Sequence, residues 1–479
     1  MSHYYRVSTD LVGPSVKKIF GKLLNKTGSS NSSDKEHYDI KETKHFATCR
    51  KVLVMMGFVN DGSVIYKLRQ PVFVFLLYSA PVHHLVPAFI DKTAPSDQIL
   101  MSWSISMLYV LLCIAWPFMI IRSSEIFQLW ATVRKGFYHY SDPFTAAERT
   151  ILSRTNDIVI KSTRVSIIAY FCAGFGTFLK EMQPESLRQY KAPYPGWFPW
   201  TINSNFRFAL ALLYQCAICL NTTFALEAVF VLFAYHTIHF EGQLRLLTRH
   251  FGDTFPPGLP ATVTYSAEYK KRTLRRLYEC VSHHLIITGF HKQILSYFGI
   301  CLLVYRVIVT IMLCILCYLT TTGISLDKFV QLLCFALALL YLCFIFCLKG
   351  EKVTQLSDGW RLTVYEVDWW NHPVEVQKTI LMMQMGASKA LKVYGVWKPA
   401  MYSHEGISVI GQETFSFFNM LRAMKMSFSE ILISWRKLPH AAVTHGPVTF
   451  RPQPSDINRV KSERRTTVGL DKRVGTVRG

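Results

Sequence analysis

The residues able to do chemistry are few and unusually placed. Histidines come in close pairs, His83/His84, His236/His239 and His283/His284, and cysteines take C-x-x-C spacing at Cys216/Cys219 and Cys314/Cys317. A zinc site needs such pairs to be completed by a second pair or a carboxylate. No pair here has that complement at ligand spacing, and both cysteine pairs lie in long apolar runs, where a thiol behaves as a small hydrophobe. There is no HExxH, no GxSxG and no phosphate-cradling glycine loop. What remains is charge inside apolar stretches: Arg306, and then Glu413, Arg422, Lys425 and Glu430 within one helical pattern. Such groups are costly against lipid and mark faces turned toward protein or water. The pattern points to a protein that is not an enzyme and needs no metal or cofactor.

The elements that must hold these groups are membrane helices. Of 479 residues 50% are hydrophobic and only 18% charged, a balance that a soluble chain of ordinary composition does not show. A helix crosses the hydrocarbon core with about 20 mostly apolar residues. Runs at 72–90, 99–121, 165–179, 208–226, 307–326 and 329–348 meet or approach that length. The third is short, but Arg164 and Lys180 at its ends can snorkel to the interfaces, and the fifth begins early enough to contain Arg306. A seventh span is expected at 406–435, where the four charges suit a bundle-centre or pore-lining helix; an interfacial amphipathic helix is the alternative. The N-terminus lacks a signal-peptide pattern, so the run from Val72 is expected to direct insertion.

A net charge of +22 raises the question of nucleic acid. The basic residues lie between the apolar runs instead of along one face, and no nucleic-acid motif accompanies them, so membrane lipid is the expected partner. Segments 1–70, 122–164, 236–293 and 349–402 together carry 34 Lys and Arg, against 6 in the alternate set 91–98, 180–207 and 321–328. The positive-inside rule makes the first set cytoplasmic. The expected fold is an all-α membrane protein with seven transmembrane helices, its N-terminus cytoplasmic and its C-terminus extracellular, in the plasma membrane. It divides into a cytoplasmic segment 1–70, a helical domain 71–435 and a basic tail 436–479 that reads as disordered. The ten basic residues after Trp435, taken alone, would put the tail inside and imply six or eight crossings.

After the sixth span the chain reads EKVTQLSDGWRLTVYEVDWW, in which Ser357, Thr363, Tyr365 and Trp369 have the spacing S-x5-[A/T]-x-Y-x3-W, followed by Lys398-Pro399 and the final helix. APYPGWFPWTINSNFRF before the fourth span, TLRRLYECVSHHLIITGFHKQILS before the fifth and CRKVLVMMGF near the start complete an ordered set. In type, order and inverted topology these segments resemble the insect odorant receptor family over roughly residues 45–435. Within Ser357–Trp369 the apolar positions Leu356, Trp360, Val364 and Val367 fall near helical spacing. A surface amphipathic helix would account for them as well as the subunit anchor that the resemblance implies.

The resemblance further implies a cation channel gated by a small volatile molecule, with several subunits, the odorant co-receptor among them, around one pore. Its pocket would lie among helices two to six and open outward. With that orientation the outer-half candidates are Trp103, Tyr109, the stripe Phe171, Phe175 and Phe178, the stripe Phe208, Leu212 and Gln215, and also Tyr318 and Phe335. Gln215 has an amide to offer a ligand carbonyl or hydroxyl. Aromatic stripes in a bundle are ordinarily packing alone. At the outer end of the last helix Ser427, Phe428, Ile431 and Leu432 would form the constriction and Glu430 a cation-favouring ring. Arg422, Lys425 and the long basic tail depart from the family pattern. The co-receptor has a long insertion after the fourth helix, where residues 236–293 are compact, so a ligand-tuning subunit is expected. A gustatory-type receptor would carry a TY-x5-QF ending, and a G-protein-coupled receptor an Asp-Arg-Tyr and an NPxxY; neither is present.

Overall fold

Apolar runs with few helix-breaking interruptions build helices much longer than a bilayer requires. The computed structural model describes residues 47, 50, 64–90, 96–181, 192, 194, 196–256, 260–321, 326–396 and 401–423. The helices are α1 (Val64–Ile90), α2 (Ser96–Ile121), α3 (Ser123–Arg134), α4 (Ala146–Glu181), α5 (Asn205–Gly252), the single turn α6 (Ala261–Thr264), α7 (Ala267–Thr321), α8 (Leu326–Glu366), α9 (Val374–Gly386) and α10 (His404–Ala423). A 3₁₀ turn at Trp369–Asn371 precedes α9. Among the described residues there is no strand, only one antiparallel bridge between Tyr394 and Met401.

Local chemistry sets the ends of these helices. Thr145 and Glu148 form a capping box at the start of α4: the Thr145 amide donates to Glu148 Oε2 at 2.7 Å and the Glu148 amide to Thr145 Oγ1 at 3.3 Å. Ser204 caps α5 by accepting from the Arg207 amide. At the corner between α2 and α3 the Arg122 guanidinium grips Glu125 at 2.6 and 2.5 Å and donates to the Ser296 carbonyl and hydroxyl of α7 at 2.6 and 2.7 Å. That corner is thereby fixed to the middle of the longest helix.

Among the described residues, three stretches are long and apolar enough to cross a membrane: Ser102–Ile121, Asn205–Gly252 and Ala267–Leu319. The other expected spans fall in α1, α4, α8 and α10, the last only as far as Ala423 because 424–435 lie outside the described residues, and their crossing rests on charge and pattern. The segment 236–293, read from the sequence as a compact connecting segment, proves to be mostly helix: α5 and α7 run far past their apolar stretches, and α6 lies between them. At 1.5 Å per residue their 48 and 55 residues extend about 70 and 80 Å, well beyond a hydrocarbon core of about 30 Å.

The centre of the molecule is α5. Residues 230–244 are buried without a break, including the polar His236, Thr237, His239, Glu241 and Gln243. A helix buried on every face must be surrounded by protein, and α5 packs against α1, α2, α3, α4, α7 and α8. Polar groups on it find partners: Glu241 meets Lys349 of α8 at 3.2 Å, and Gln243 meets His283 of α7 at 3.0 Å. α4 comes so close that a Cβ on Gly242 would stand 2.5 Å from Thr155 Oγ1 and 3.1 Å from its Cβ. Gly242→Ala is therefore expected to lower the thermal stability of the detergent-solubilised protein by about 1–3 kcal/mol, and Thr155→Ala in the same chain to restore most of it. Gly359→Ala, where a Cβ meets nothing within 4 Å, should instead stabilise by about 1 kcal/mol. Equal melting points for Gly242→Ala and the parent would refute the close-packing argument.

Candidate ligand-binding region

At the end of α1 the sequence places two histidines together, and the fold brings α5 and the segment 192–200 over them. His83 Nδ1 donates to the Trp197 carbonyl at 2.7 Å, and the Trp197 amide returns a bond to the His83 carbonyl at 2.7 Å. That leaves His83 Nε2 as an acceptor, 3.1 Å from Gln215 Nε2. The Gln215 amide also pairs with one residue of the loop as a backbone strand would. Its Nε2 donates to the Tyr194 carbonyl at 2.8 Å, and its Oε1 accepts from the Tyr194 amide at 3.2 Å. Next to it His84 stacks on Tyr109 with ring centroids 5.3 Å apart and meets Tyr194 edge-on at 6.4 Å, while the Tyr214 hydroxyl donates to Ser79 at 2.9 Å. The result is an aromatic lid of loop residues strapped to the bundle by one histidine and one glutamine.

Of the residues expected to meet a ligand, Tyr109 and Gln215 come together here, and Phe208 and Leu212 share the face of α5 that bears Gln215. Trp103 sits apart, tilted against Phe89 at 6.5 Å with its buried indole N–H unpaired. Tyr318 belongs to a separate apolar cluster with Ile315, Leu319 and Ala336. The side chains of Phe171, Phe175, Phe178 and Phe335 lie outside the described residues, as do Ser427, Phe428, Glu430, Ile431 and Leu432. Gln215 differs from expectation in one respect: its amide is already occupied by Tyr194 and His83, so in this conformation it closes the region and has no donor left for a ligand. The part played by His83 and Tyr194 is not readable from spacing, because the partners are backbone atoms of a distant loop; the aromatic, proline-rich composition of that loop was the available signal.

A cavity lies deeper, between α2, α5, α7 and α8, walled by Leu111, Ala115, Phe233, Leu302, Tyr305 and Phe346 among others. It offers about 20 Å³ to the centre of a water-sized sphere, room for roughly one water, and its wall is almost wholly apolar. None of Trp103, Tyr109, Phe208, Leu212, Gln215 and Tyr318 lines it. Any organic guest must displace side chains to enter.

The signature residues lie on α8 and just after it. Ser357 is buried, and its hydroxyl accepts from the Leu391 amide at 2.9 Å, tying α8 to the segment ahead of α10. Trp360 and Val364 are fully buried, Thr363 back-bonds to the Gly359 carbonyl, Trp369 packs on the main core and Tyr365 is exposed. Close to this end of the molecule a polar cluster joins α4, α5, α7 and the turn before α4. His250 Nδ1 meets Glu148 at 2.8 Å, Tyr140 stacks on His250 at 3.7 Å and contacts His283 Nδ1 at 2.6 Å, and Ser141 donates to Glu279. Burial pushes the Glu148 carboxyl upward, but bonds from His250 and Thr145 outweigh it and hold the group below its ordinary value. Burial, with help from His250 and His284, pushes His283 down to about 3, so it serves as a neutral imidazole. Among the described residues no three His, Cys, Asp or Glu side chains gather as a metal site would require.

Gln215→Leu removes both bonds to Tyr194 and strands two backbone groups, at a cost of about 1–3 kcal/mol. Hydrogen–deuterium exchange over 192–200 is expected to quicken in that variant; unchanged protection there would show that the strap does not hold the loop.

The 7tm Odorant receptor family matches residues 97–401, which run from α2 to the segment before α10. Among solved structures, the insect olfactory receptor OR5 from Machilis hrabei matches with a TM-score of 0.63 and 12% identity, over 80% of this chain and 98% of that one. The same receptor in complex with eugenol matches with a TM-score of 0.62 and 12% identity, over 79% and 98%. No curated protein matches.

Proposed function

The chain belongs to the 7tm odorant receptor family, a family of receptors and not of enzymes, and from that premise we propose that it is a ligand-tuning subunit. It binds a small volatile molecule in the outer half of its bundle and gates a cation pathway together with the odorant co-receptor in a heteromeric, tetrameric assembly. The observation that carries this reading is the family match across α2 to α8, combined with an outer region where Tyr109 and His84 stack beneath a strapped aromatic loop. A receptor of the same fold has been solved with eugenol, which supports a small organic molecule as the ligand of this chain.

The N-terminus lies inside the cell by the charge asymmetry of 34 to 6, the seventh span at 406–435 follows from the family pattern, and a plasma-membrane location follows from the role. The signature region from Ser357 to Trp369 then faces the cytoplasm as the subunit anchor. The pore falls to the last helix, with Ser427, Phe428, Ile431 and Leu432 at its constriction and Glu430 favouring cations. The ligand opens it only by binding the open arrangement better than the closed one.

Expressed with the odorant co-receptor, the chain is expected to give volatile-evoked cation currents that need no G protein. Tyr109→Ala should move the half-maximal concentration upward by about tenfold, as loss of a buried aromatic contact does. Currents that depend on a G protein, or that appear fully without the co-receptor, would overturn the reading.

A further inference from the structure

Arg306 lies in the apolar stretch of α7 with its side chain 8% exposed, and its Nη2 donates to Glu413 Oε1 of α10 at 3.0 Å. One turn earlier on the same face of α7, the Leu302 carbonyl accepts from the Tyr402 hydroxyl at 2.5 Å. The Tyr402 carbonyl in turn lies against α8, where a Cβ on Gly350 would come within 2.0 Å of it. The segment leading to α10 is thus clamped between α7 and α8, and α10 itself is held at one further point by opposite charges. The two charges are unequally placed. Arg306 is enclosed, whereas the Glu413 side chain is 42% exposed and free to leave with its helix. A cation left alone in an apolar span is costly, so the pair favours one register of α10 over its neighbours.

This point of attachment also borders the apolar cavity. Leu302 and Tyr305 line the cavity, as does Phe346, whose ring meets Tyr305 at 5.4 Å and Tyr402 at 6.1 Å. The cavity thus borders the turn of α7 that carries both contacts.

We propose that Arg306 and Glu413 form a latch that holds the final helix in its resting register against α7, and that gating requires this pair to part. The proposal rests on the channel reading above and names two positioning residues for it. In cells carrying the co-receptor, Arg306→Gln and Glu413→Gln are each expected to raise the ligand-free current and lower the half-maximal ligand concentration, by about fivefold or more. Currents are compared per receptor at the surface, counted by biotinylation. The double variant Arg306→Gln/Glu413→Gln should resemble the single ones, because the energy is shared, and Arg306→Lys should return both readouts toward the parent. Should a single variant fail to reach the surface, the double variant and Arg306→Lys decide between latch and scaffold. Surface-expressed variants with parental ligand-free current and ligand sensitivity would overturn the latch. If the parent chain passes no current with the co-receptor, the channel reading fails separately. The latch is then judged on purified protein by hydrogen–deuterium exchange over 404–423, where Arg306→Gln must exchange faster than the parent and equal exchange refutes it.

Discussion

A helix surrounded on every side constrains all of its neighbours at once. Residues 230–244 of α5 are buried continuously, so polar groups on that stretch favour neighbours that supply a protein partner. Lys349 on α8 answers Glu241, and His283 on α7 answers Gln243. Gly242 lets α4 approach as closely as Thr155 allows. Buried polar groups left without partners are expensive, so the register of α4, α7 and α8 around α5 is set by hydrogen bonding as well as by apolar packing. The candidate ligand-binding region is positioned in the same way, because Gln215 lies on this same helix, about four turns nearer its start.

The apolar spans were legible because the cost of exposing charge to lipid writes itself into composition. The extensions were not. Residues 236–251 mix His, Thr, Glu, Gln and Arg with apolar residues, a composition that reads as a connecting segment; its burial depends on partners from α4, α7 and α8 that no local window contains. Trp360 and Val364 were readable as an apolar helical face, and both are fully buried. Their covering comes from the fold of this chain, which a spacing argument could not separate from a lipid surface.

The candidate region shows the same division. Tyr109 and Gln215 emerged from position and helical face. His83 did not, since its partners are the carbonyl of Trp197 and the amide of Gln215, and side chain-to-backbone pairing leaves no mark in residue spacing. Arg306 and Glu413 were each conspicuous as charges in apolar surroundings, yet only the packing of α10 on α7 reveals that each answers the other.

The length of α7 carries a mechanical consequence. Its 55 residues form one unbroken helix from Ala267 to Thr321, with a continuous hydrogen-bond ladder and no proline to act as a joint. Without a proline joint such a helix is stiff, so a tilt at one end carries along it as in a lever. Over about 80 Å, a rotation of about one degree pivoting at one end moves the other by roughly 1.4 Å. Arg122 grips the rod at Ser296, near its midpoint, which is where a fulcrum would sit. A small displacement at one end would then be matched by an opposite one at the other, without any helix having to unwind.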